Sequence, residues 1–162
     1  MIVVSDASPL NVLVRIGFID TLPKLFQIVF IPPAVAAELT HAGTPEPVRS
    51  WLASKPSWLT IKAPSRIDTT LEFDDAGERE AISLALEIKA DLLLADDRKA
   101  RKAALARGLA ITGAVGVLEA ASAKGLLDLP EAFKRLRTTY FIVAESILAE
   151  ALRRDAARKG AT

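Results

Sequence analysis

The sequence contains no cysteine, so it can form neither a disulfide framework nor a zinc–thiolate site. Its single histidine, His41, argues against a histidine-based catalytic triad and against a histidine zinc cluster. No apolar run approaches the roughly 18 to 20 residues that a membrane-spanning helix needs. The N-terminus lacks a basic start and carries Asp6, unlike a signal peptide. We therefore expect a soluble cytoplasmic protein with no membrane partner.

The net charge of the chain is also close to zero. The 162 residues include 21 basic and 20 acidic side chains, which leaves a net charge of +1. A strongly basic total would have indicated a nucleic-acid partner, whereas this balance gives no indication. Basic residues are nevertheless concentrated at 98–107 and 153–159. The distribution of charge is therefore more informative than its sum.

What the sequence does contain is an alternation of short strands and helices. The length predicts one domain over 1–162, with a core over about 1–127 and a helical C-terminal segment over about 130–158. The alternation indicates an α/β fold of three α/β/α layers around a central, mainly parallel sheet. Strands are predicted at 2–6, 28–33, 91–96 and 109–112, and helices at 8–17, 19–26, 33–43, 47–54, 77–90, 97–108 and 114–125. The rest of 44–75, which is rich in Pro, Ser and Asp, is predicted to be a loop.

Four carboxylates are predicted to meet at one edge of this sheet. Asp6 and Asp96 each end a predicted strand, and ligands of open α/β sheets bind outside the carboxyl ends of the strands. Glu38 lies beside the apolar stripe of its helix, and Glu78 begins the helix that leads into the Asp96 strand. Carboxylates held close together repel one another unless a cation joins them. The pattern therefore predicts a Mg²⁺ or Mn²⁺ site that acts on phosphate.

Each acid also has a purely structural interpretation. Asp75 and Glu78 have the spacing of a capping box, and Asp97 is a good N-cap for the basic helix that follows it. Glu38 could pair with His41, three residues further along its helix. Either of the adjacent residues Asp96 and Asp97 could be the metal ligand, so Asp97 is kept as a reserve.

Other polar residues have similar alternatives. Ser8, followed by proline, is a suitable helix cap, and Glu80 should point away from Glu78 into solvent. Arg98, Arg101 and Lys102 form either an ordinary solvated helix face or a surface that holds a phosphate backbone beside the metal. The glycines at 108–116 match neither a phosphate loop nor a dinucleotide fingerprint.

The chain resembles the PIN-domain family of metal-dependent ribonucleases, in particular the prokaryotic branch similar to VapC-type toxins. The resemblance is carried by "VVSDASPLNVL", "IPPAVAAEL", "DDAGEREAISLALEIKADLLLADDRKARKAA" and "ITGAVGVLEAASAKGLL". Its acids match Asp6, Glu38, Glu78 and Asp96, and the last two are 18 residues apart, as the family requires. The resemblance implies a PIN-like fold, a Mg²⁺ or Mn²⁺ site, cleavage of single-stranded RNA, a homodimer and a small antitoxin partner.

The main hypothesis is metal-assisted phosphodiester hydrolysis by an endoribonuclease. Asp6 and Asp96 would bind the first ion, Glu38 and Glu78 would complete its shell, and Ser8 and Thr112 would orient ligands or water. The alternative is a non-catalytic PIN-like module that binds nucleic acid or protein. Aspartate-nucleophile phosphatases and phospho-receiver domains also place acids at strand ends. The first needs a second aspartate at position 8, and the second needs a lysine where Thr112 stands.

Overall fold

The computed structural model describes residues 1–73 and 75–160 and contains a five-stranded sheet in which every strand pair is parallel. The strand order is β3-β2-β1-β4-β5. The strands are β1 (Val3–Ser5), β2 (Val29–Ile31), β3 (Leu59–Ile61), β4 (Leu92–Leu94) and β5 (Ile111–Thr112). The predicted three-layer α/β/α fold is confirmed.

The helices follow the strands closely, and the predicted alternation holds along the chain. They are α1 (Ala7–Arg15), α2 (Thr21–Phe26), α3 (Pro33–Thr40), α4 (Glu46–Ala53), α5 (Ala76–Glu87), α6 (Arg98–Ala106), α7 (Ala114–Ala123), α8 (Leu129–Leu136) and α9 (Glu145–Gly160). Position 74 of the predicted loop and the last two residues of the predicted domain lie outside the described residues. Within the part of the chain that the structure describes, no helix is long and apolar enough to cross a membrane.

One strand, β3, was not predicted. Residues 44–75 were expected to hold one helix and a loop, and α4 is present, but Leu59–Ile61 adds a parallel strand to β2. The strand is only three residues long, is half-buried or exposed throughout, and lies at an edge of the sheet. It therefore lacks the continuous apolar run that identifies a buried parallel strand. The prediction of a loop here was wrong because an edge strand carries a weak sequence signal.

The order of the strands places a topological switch point between β1 and β4. From β1 the sheet proceeds through β2 to β3 on one side, and β4 and β5 lie on the other side. The register pairs Val3 with both Val29 and Leu92, and the backbone N–H of Asp6 donates to the carbonyl of Leu94 at 2.8 Å. Such a switch point is where open α/β sheets bind their ligands.

The sheet lies inside a hydrophobic core that fixes where its strands end. Val3, Val4, Leu93 and Leu94 are fully inaccessible to solvent, as expected for parallel strands covered on both faces. One continuous cluster of buried apolar side chains extends from β1 to Ala151 of α9. Because this packing holds β1 and β4 rigidly, the residues that follow them are held in place as well.

The predicted helical C-terminal segment forms two helices, and one side of α9 packs against the core. Leu148 and Ala151 are buried and Leu152 is half-buried against the core. Polar contacts add to this packing. The hydroxyl of Ser122 in α7 donates to buried Asp155 of α9 at 2.6 Å, and Lys159 donates to the other oxygen of Asp155 at 2.7 Å.

We expect Ser122→Ala to destabilise the protein by about 1–3 kcal/mol, because the buried carboxylate of Asp155 loses a hydrogen-bond donor. Urea unfolding measures the change in the free energy of unfolding. Ser146→Ala, at an exposed position of α9, is the matched control and should alter stability by less than about 0.5 kcal/mol. Equal stability of the two variants would show that the contact between α7 and α9 does not depend on this bond.

Candidate functional site

Asp6 occupies the N-cap position of α1 directly after β1, and its side chain is only 6% exposed. The helix begins at Ala7, so the prediction that Ser8 caps it was wrong: Ser8 lies within the first turn. The carboxylate of Asp6 faces the start of α5, where a Cβ added to Gly77 would lie 3.6 Å from its Oδ1. That distance is an ordinary van der Waals contact; the tighter neighbour is Asp75, whose Oδ1 would lie 3.1 Å from the same Cβ.

Asp75 and Glu78 lie in the first turn of α5, beside Asp6. Asp75 accepts a hydrogen bond from the backbone N–H of Glu78 at 2.9 Å, which confirms the predicted cap. Asp75 also contributes to the electrostatic field at Asp6, Glu38 and Glu78. Sequence reasoning assigned Asp75 only a capping role, although its position three residues before Glu78 was a signal for proximity to the site.

Glu38 lies near the end of α3, a helix that packs against α5. Glu80 links the two helices, because its Oε1 accepts a hydrogen bond from the backbone N–H of Ala34 at 3.2 Å. The prediction that Glu80 faces solvent was therefore wrong: α3 has no side-chain cap of its own, and the half-buried Glu80 serves one of its free amides. Glu38 and His41 form no ion pair in the described residues; His41 Nδ1 instead accepts a hydrogen bond from the backbone N–H of Gly43 at 2.9 Å.

Asp96 follows β4 and is held from two sides. Its Oδ1 accepts from the backbone N–H of Ala114 at 2.8 Å, at the start of α7, and its Oδ2 accepts from the hydroxyl of Ser8 at 3.3 Å. Gly113 makes this contact possible, since a Cβ at that position would overlap Asp96 Oδ1. Ser8 thus joins the Asp96 end of the site to α1, two residues after Asp6.

Asp97 has the capping role that the sequence predicted. Its Oδ2 accepts from the backbone N–H of Ala100 at 3.0 Å and so begins α6. The exposed Asp97 carboxylate still contributes to the field at Glu78. The backbone carbonyl of Thr112, at the end of β5, accepts a hydrogen bond from the Ala95 N–H at 3.0 Å. Thr112 lies half-buried at the same edge as Asp96.

The site thus consists of two acidic groups at adjacent strand ends. Asp6, Glu38, Asp75 and Glu78 are coupled electrostatically, whereas Asp96 is coupled to Ser8, Ala114 and Arg101. Burial, together with the Glu78, Glu38 and Asp75 carboxylates, raises the pKa of Asp6 to about 7. Burial, followed by Asp97, Asp75 and Glu38, raises the pKa of Glu78 to about 7 as well.

The pKa values of Glu38 and Asp96 are raised too, for different reasons. At Glu38 the causes are partial desolvation and the Asp75 carboxylate. At Asp96 burial raises the pKa, although the Ala114 amide, the Ser8 hydroxyl and the Arg101 guanidinium oppose it. Burial therefore raises the pKa of all four carboxyl groups, whereas crowding by other carboxylates contributes only at Asp6, Glu38 and Glu78. Such crowding is relieved by a positive charge shared among them.

The donor set fits a hard divalent cation. Every donor is a carboxylate oxygen, the ligand that Mg²⁺ and Mn²⁺ prefer. Within residues 1–73 and 75–160, however, no three His, Asp or Glu side chains already converge closely enough to share an ion. Carboxylates that repel one another are expected to lie apart without a cation, so binding one requires these side chains to turn toward a common point.

Three basic side chains line a groove that leads away from Asp96. Arg98, Arg101 and Lys102 of α6 are exposed and face this groove, whose floor includes Thr112 and Gly113. Lys99 points elsewhere: its ammonium lies 5.2 Å from the centre of the Phe73 ring and lowers the pKa of Glu78 against the larger effects that raise it. The face of α6 beside the acids is therefore positively charged.

The fold and the acidic edge define a class of α/β protein with a polar site at its switch point. A family model described as a PIN domain (DUF3368) matches residues 2–156. The chain belongs to this PIN-domain family. PIN domains are commonly nucleases, typically with divalent metals, and interact with nucleic acid. The search of curated proteins found no match.

The raised pKa of Asp6 predicts how stability depends on pH without metal. Because the pKa rises from 3.8 to about 7 on folding, the folded state binds this proton more tightly. The stabilisation is fully present below pH 3.8 and is lost as the pH rises through about 7. Asp6→Asn should therefore be more stable than the wild type near neutral pH, by up to about 4 kcal/mol at about 1.4 kcal/mol per pKa unit.

Urea unfolding in EDTA between about pH 5 and pH 8 measures this difference. The matched control is Asp20→Asn, because Asp20 is exposed and its side chain makes no cap hydrogen bond. The control should follow the wild-type pH dependence. A wild type whose stability does not fall over this range would contradict the account of Asp6.

Gly113→Ala tests whether Asp96 needs its present position. The added methyl group would displace the carboxylate from the Ala114 amide, so we expect at least about tenfold weaker Mn²⁺ binding, comparable to the loss of a ligand-orienting partner. Calorimetric titration with Mn²⁺ provides the measurement. Gly160→Ala is the control, since a Cβ there meets nothing within 4 Å. Equal affinity of both variants and the wild type would remove Asp96 from the ligand set.

Proposed function

We propose that this PIN domain is an endoribonuclease that hydrolyses phosphodiester bonds of single-stranded RNA and depends on Mg²⁺ or Mn²⁺. The observation that carries the proposal is the cluster of carboxylates at the β1–β4 switch point, whose pKa values are raised by burial and mutual repulsion. Structural caps alone do not require acids in this number at one strand edge. A site that binds a divalent cation, in contrast, requires several carboxylates at one place.

Asp6, Asp96, Glu38 and Glu78 are the proposed catalytic metal ligands, with Asp97 in reserve because its carboxylate already caps α6. A divalent cation bound here supplies a Lewis acid that activates water and neutralises charge on the phosphate. Asp75 adds negative charge beside Asp6 and fixes the start of α5. The positions of these groups follow from β1, β4, α3 and α5.

Ser8 and Thr112 are positioning residues in this proposal. The Ser8 hydroxyl donates to Asp96 Oδ2 at 3.3 Å and so limits the rotation of the carboxylate. The same bond favours the ionised form of Asp96, which is the form that binds a cation. Thr112 lies beside Asp96 on the floor of the groove, where its hydroxyl can orient water or phosphate.

Arg98, Arg101 and Lys102 are proposed to hold the RNA backbone. They occupy positions i, i+3 and i+4 of α6 and therefore lie on one face, which borders the groove from Asp96. Positive charge there attracts phosphate and steers it to the acids. The Arg101 charge also reaches Asp96 directly, since it lowers the pKa of that acid.

The remaining parts of the proposal rest on the resemblance of the sequence to the VapC-like branch of the family. PIN domains of the VapC-like branch act as toxins, so we propose a cytoplasmic homodimer controlled by a small antitoxin protein. A single domain over residues 1–162 would contain all of the proposed site. These assignments are independent of the chemistry of the acidic edge.

A non-catalytic module that binds nucleic acid or protein is the second candidate. It is favoured by one observation: no three acidic side chains in residues 1–73 and 75–160 already converge on a common point. In this case the acids would stay apart in the presence of Mg²⁺ or Mn²⁺, and the basic face of α6 would act as a binding surface only.

Cleavage of a mixed set of single-stranded RNAs distinguishes the two candidates. We expect the wild type to cut in Mg²⁺ or Mn²⁺ and to be inactive in EDTA. Asp96→Asn should lower the cleavage rate by at least about 100-fold, because one ligand charge is lost. Asp20→Asn is the matched control and should cut at the wild-type rate. Intact RNA in every metal, together with no Mn²⁺ binding, would support the non-catalytic module.

A further inference from the structure

The groove beside Asp96 is large and has two chemically different walls. Its volume is about 990 Å³, and it extends from Asp96 to Arg154. One wall is the basic face of α6, and the other is formed by residues 141–147, between α8 and α9. We call it the Asp96 groove. Its two walls differ in ways that restrict what can bind between them.

The α6 wall carries cations without partners among the described residues. Arg98 and Lys102 make no ion pair or side-chain hydrogen bond with any residue in 1–73 or 75–160, although both are exposed beside the groove. Leu105, at 61% exposure, continues the same helix face. At the far end Arg154 is already paired with Glu119, with both N–O distances at 2.9 Å. Unpaired positive charge is therefore greatest near Asp96.

The opposite wall carries apolar side chains that the packing of the folded chain leaves exposed. Phe141 and Val143 are half-buried and pack against the core, which fixes the segment in place. Ile142, which lies between them, is 96% exposed, and Ile147 at the start of α9 is 50% exposed. Both line the Asp96 groove. A single exposed isoleucine is ordinary, but Ile142, Ile147 and Leu105 are all exposed along one groove, and exposed apolar patches mark surfaces that another molecule covers.

We propose that the Asp96 groove is the track of one RNA strand, with its phosphates along α6 and its bases against Ile142 and Ile147. This rests on the proposed function and adds to it the contact that selects single-stranded substrate. A single strand offers a polyanionic edge and apolar base faces at once, which matches the two walls. In a duplex the base faces are stacked on one another, so the Ile142 wall would have no partner.

The groove also defines the path that the strand takes away from the acids. The phosphate nearest Asp96 meets the acids, and nucleotides on one side of it follow the groove past Lys102 toward Ile147. Base contacts on this wall are made by aliphatic side chains, which cannot read hydrogen-bonding edges. The wall therefore discriminates strandedness and gives little preference among bases.

Binding experiments without catalytic metal separate this inference from the proposed function. The probes are labelled oligouridylate and oligothymidylate about 12 nucleotides long, and an abasic phosphate chain of the same length, measured by fluorescence anisotropy in EDTA. The variant Ile142→Ala/Ile147→Ala should bind the base-containing probes about five- to tenfold more weakly than the wild type and the abasic chain equally well. Lys102→Gln should weaken binding of all probes and reduce the salt dependence by about one ion.

Ile61→Ala is the matched control, because Ile61 is 55% exposed on β3 at the opposite edge of the sheet. It should bind every probe as the wild type does. Two binding results would overturn the inference: equal affinity of the double variant and the wild type for oligouridylate, or equal loss of affinity for abasic and base-containing probes. A change in oligomeric state of the double variant by light scattering would also overturn it, because the wall would then be covered by a second copy.

The outcomes also distinguish failure of the inference from failure of the proposed function. Base-dependent binding that requires Ile142 and Ile147, without cleavage in any metal, would keep the track and reject the nuclease. Metal-dependent cleavage that is unaffected by the double variant would keep the nuclease and reject the track.

Discussion

The burial of carboxylates at one edge of the sheet, where Asp6, Glu38 and Glu78 also lie in the field of neighbouring acids, is the constraint on which the rest of the structure depends. Buried β1 and β4 place Asp6 and Asp96 at adjacent strand ends, and α3 and α5 bring Glu38 and Glu78 toward Asp6. Burial raises the pKa values of all four acids, and neighbouring carboxylates raise those of Asp6, Glu38 and Glu78 further. These buried acids destabilise the folded protein when no cation is bound. In the proposed function a bound cation would remove that destabilisation, so the site lowers stability in order to bind metal.

Several contacts made by other residues hold the four proposed ligands in position. Glu80 fastens the start of α3 to α5, Ser8 and Ala114 orient Asp96, and Gly113 leaves room for its carboxylate. The C-terminal helices contribute differently. By packing α9 on α7 and α8 they position residues 141–147 as the second wall of the Asp96 groove. The acids and the groove are thus adjacent parts of one surface, with negative charge at the strand ends and positive charge on α6.

Sequence reasoning predicted the elements with strong periodicity and missed those that depend on distant residues. β1, β2 and β4 lie in apolar runs, and β5 could be predicted because it follows in the regular strand–helix alternation. β3 lies in the Pro-, Ser- and Asp-rich stretch, where neither signal is present. The caps of Asp75 and Asp97 follow from local spacing and were predicted correctly. Glu80 was misjudged because its partner, Ala34, lies 46 residues away in sequence and is brought close only by packing. The proximity of Ser8 to Asp96, 88 residues apart, likewise arises from the pairing of β1 with β4.

The central claim is that these carboxylates close around one shared divalent cation, and diffraction from crystals grown with Mn²⁺ tests it most directly. Data collected on both sides of the manganese absorption edge locate the ion without reference to activity. The account predicts an anomalous peak at the carboxyl ends of β1 and β4, with oxygens of Asp6 and Asp96 at about 2.1–2.2 Å, as expected for oxygen donors to such ions. The absence of a peak at this edge, with the acids as far apart as they are without metal, would contradict it.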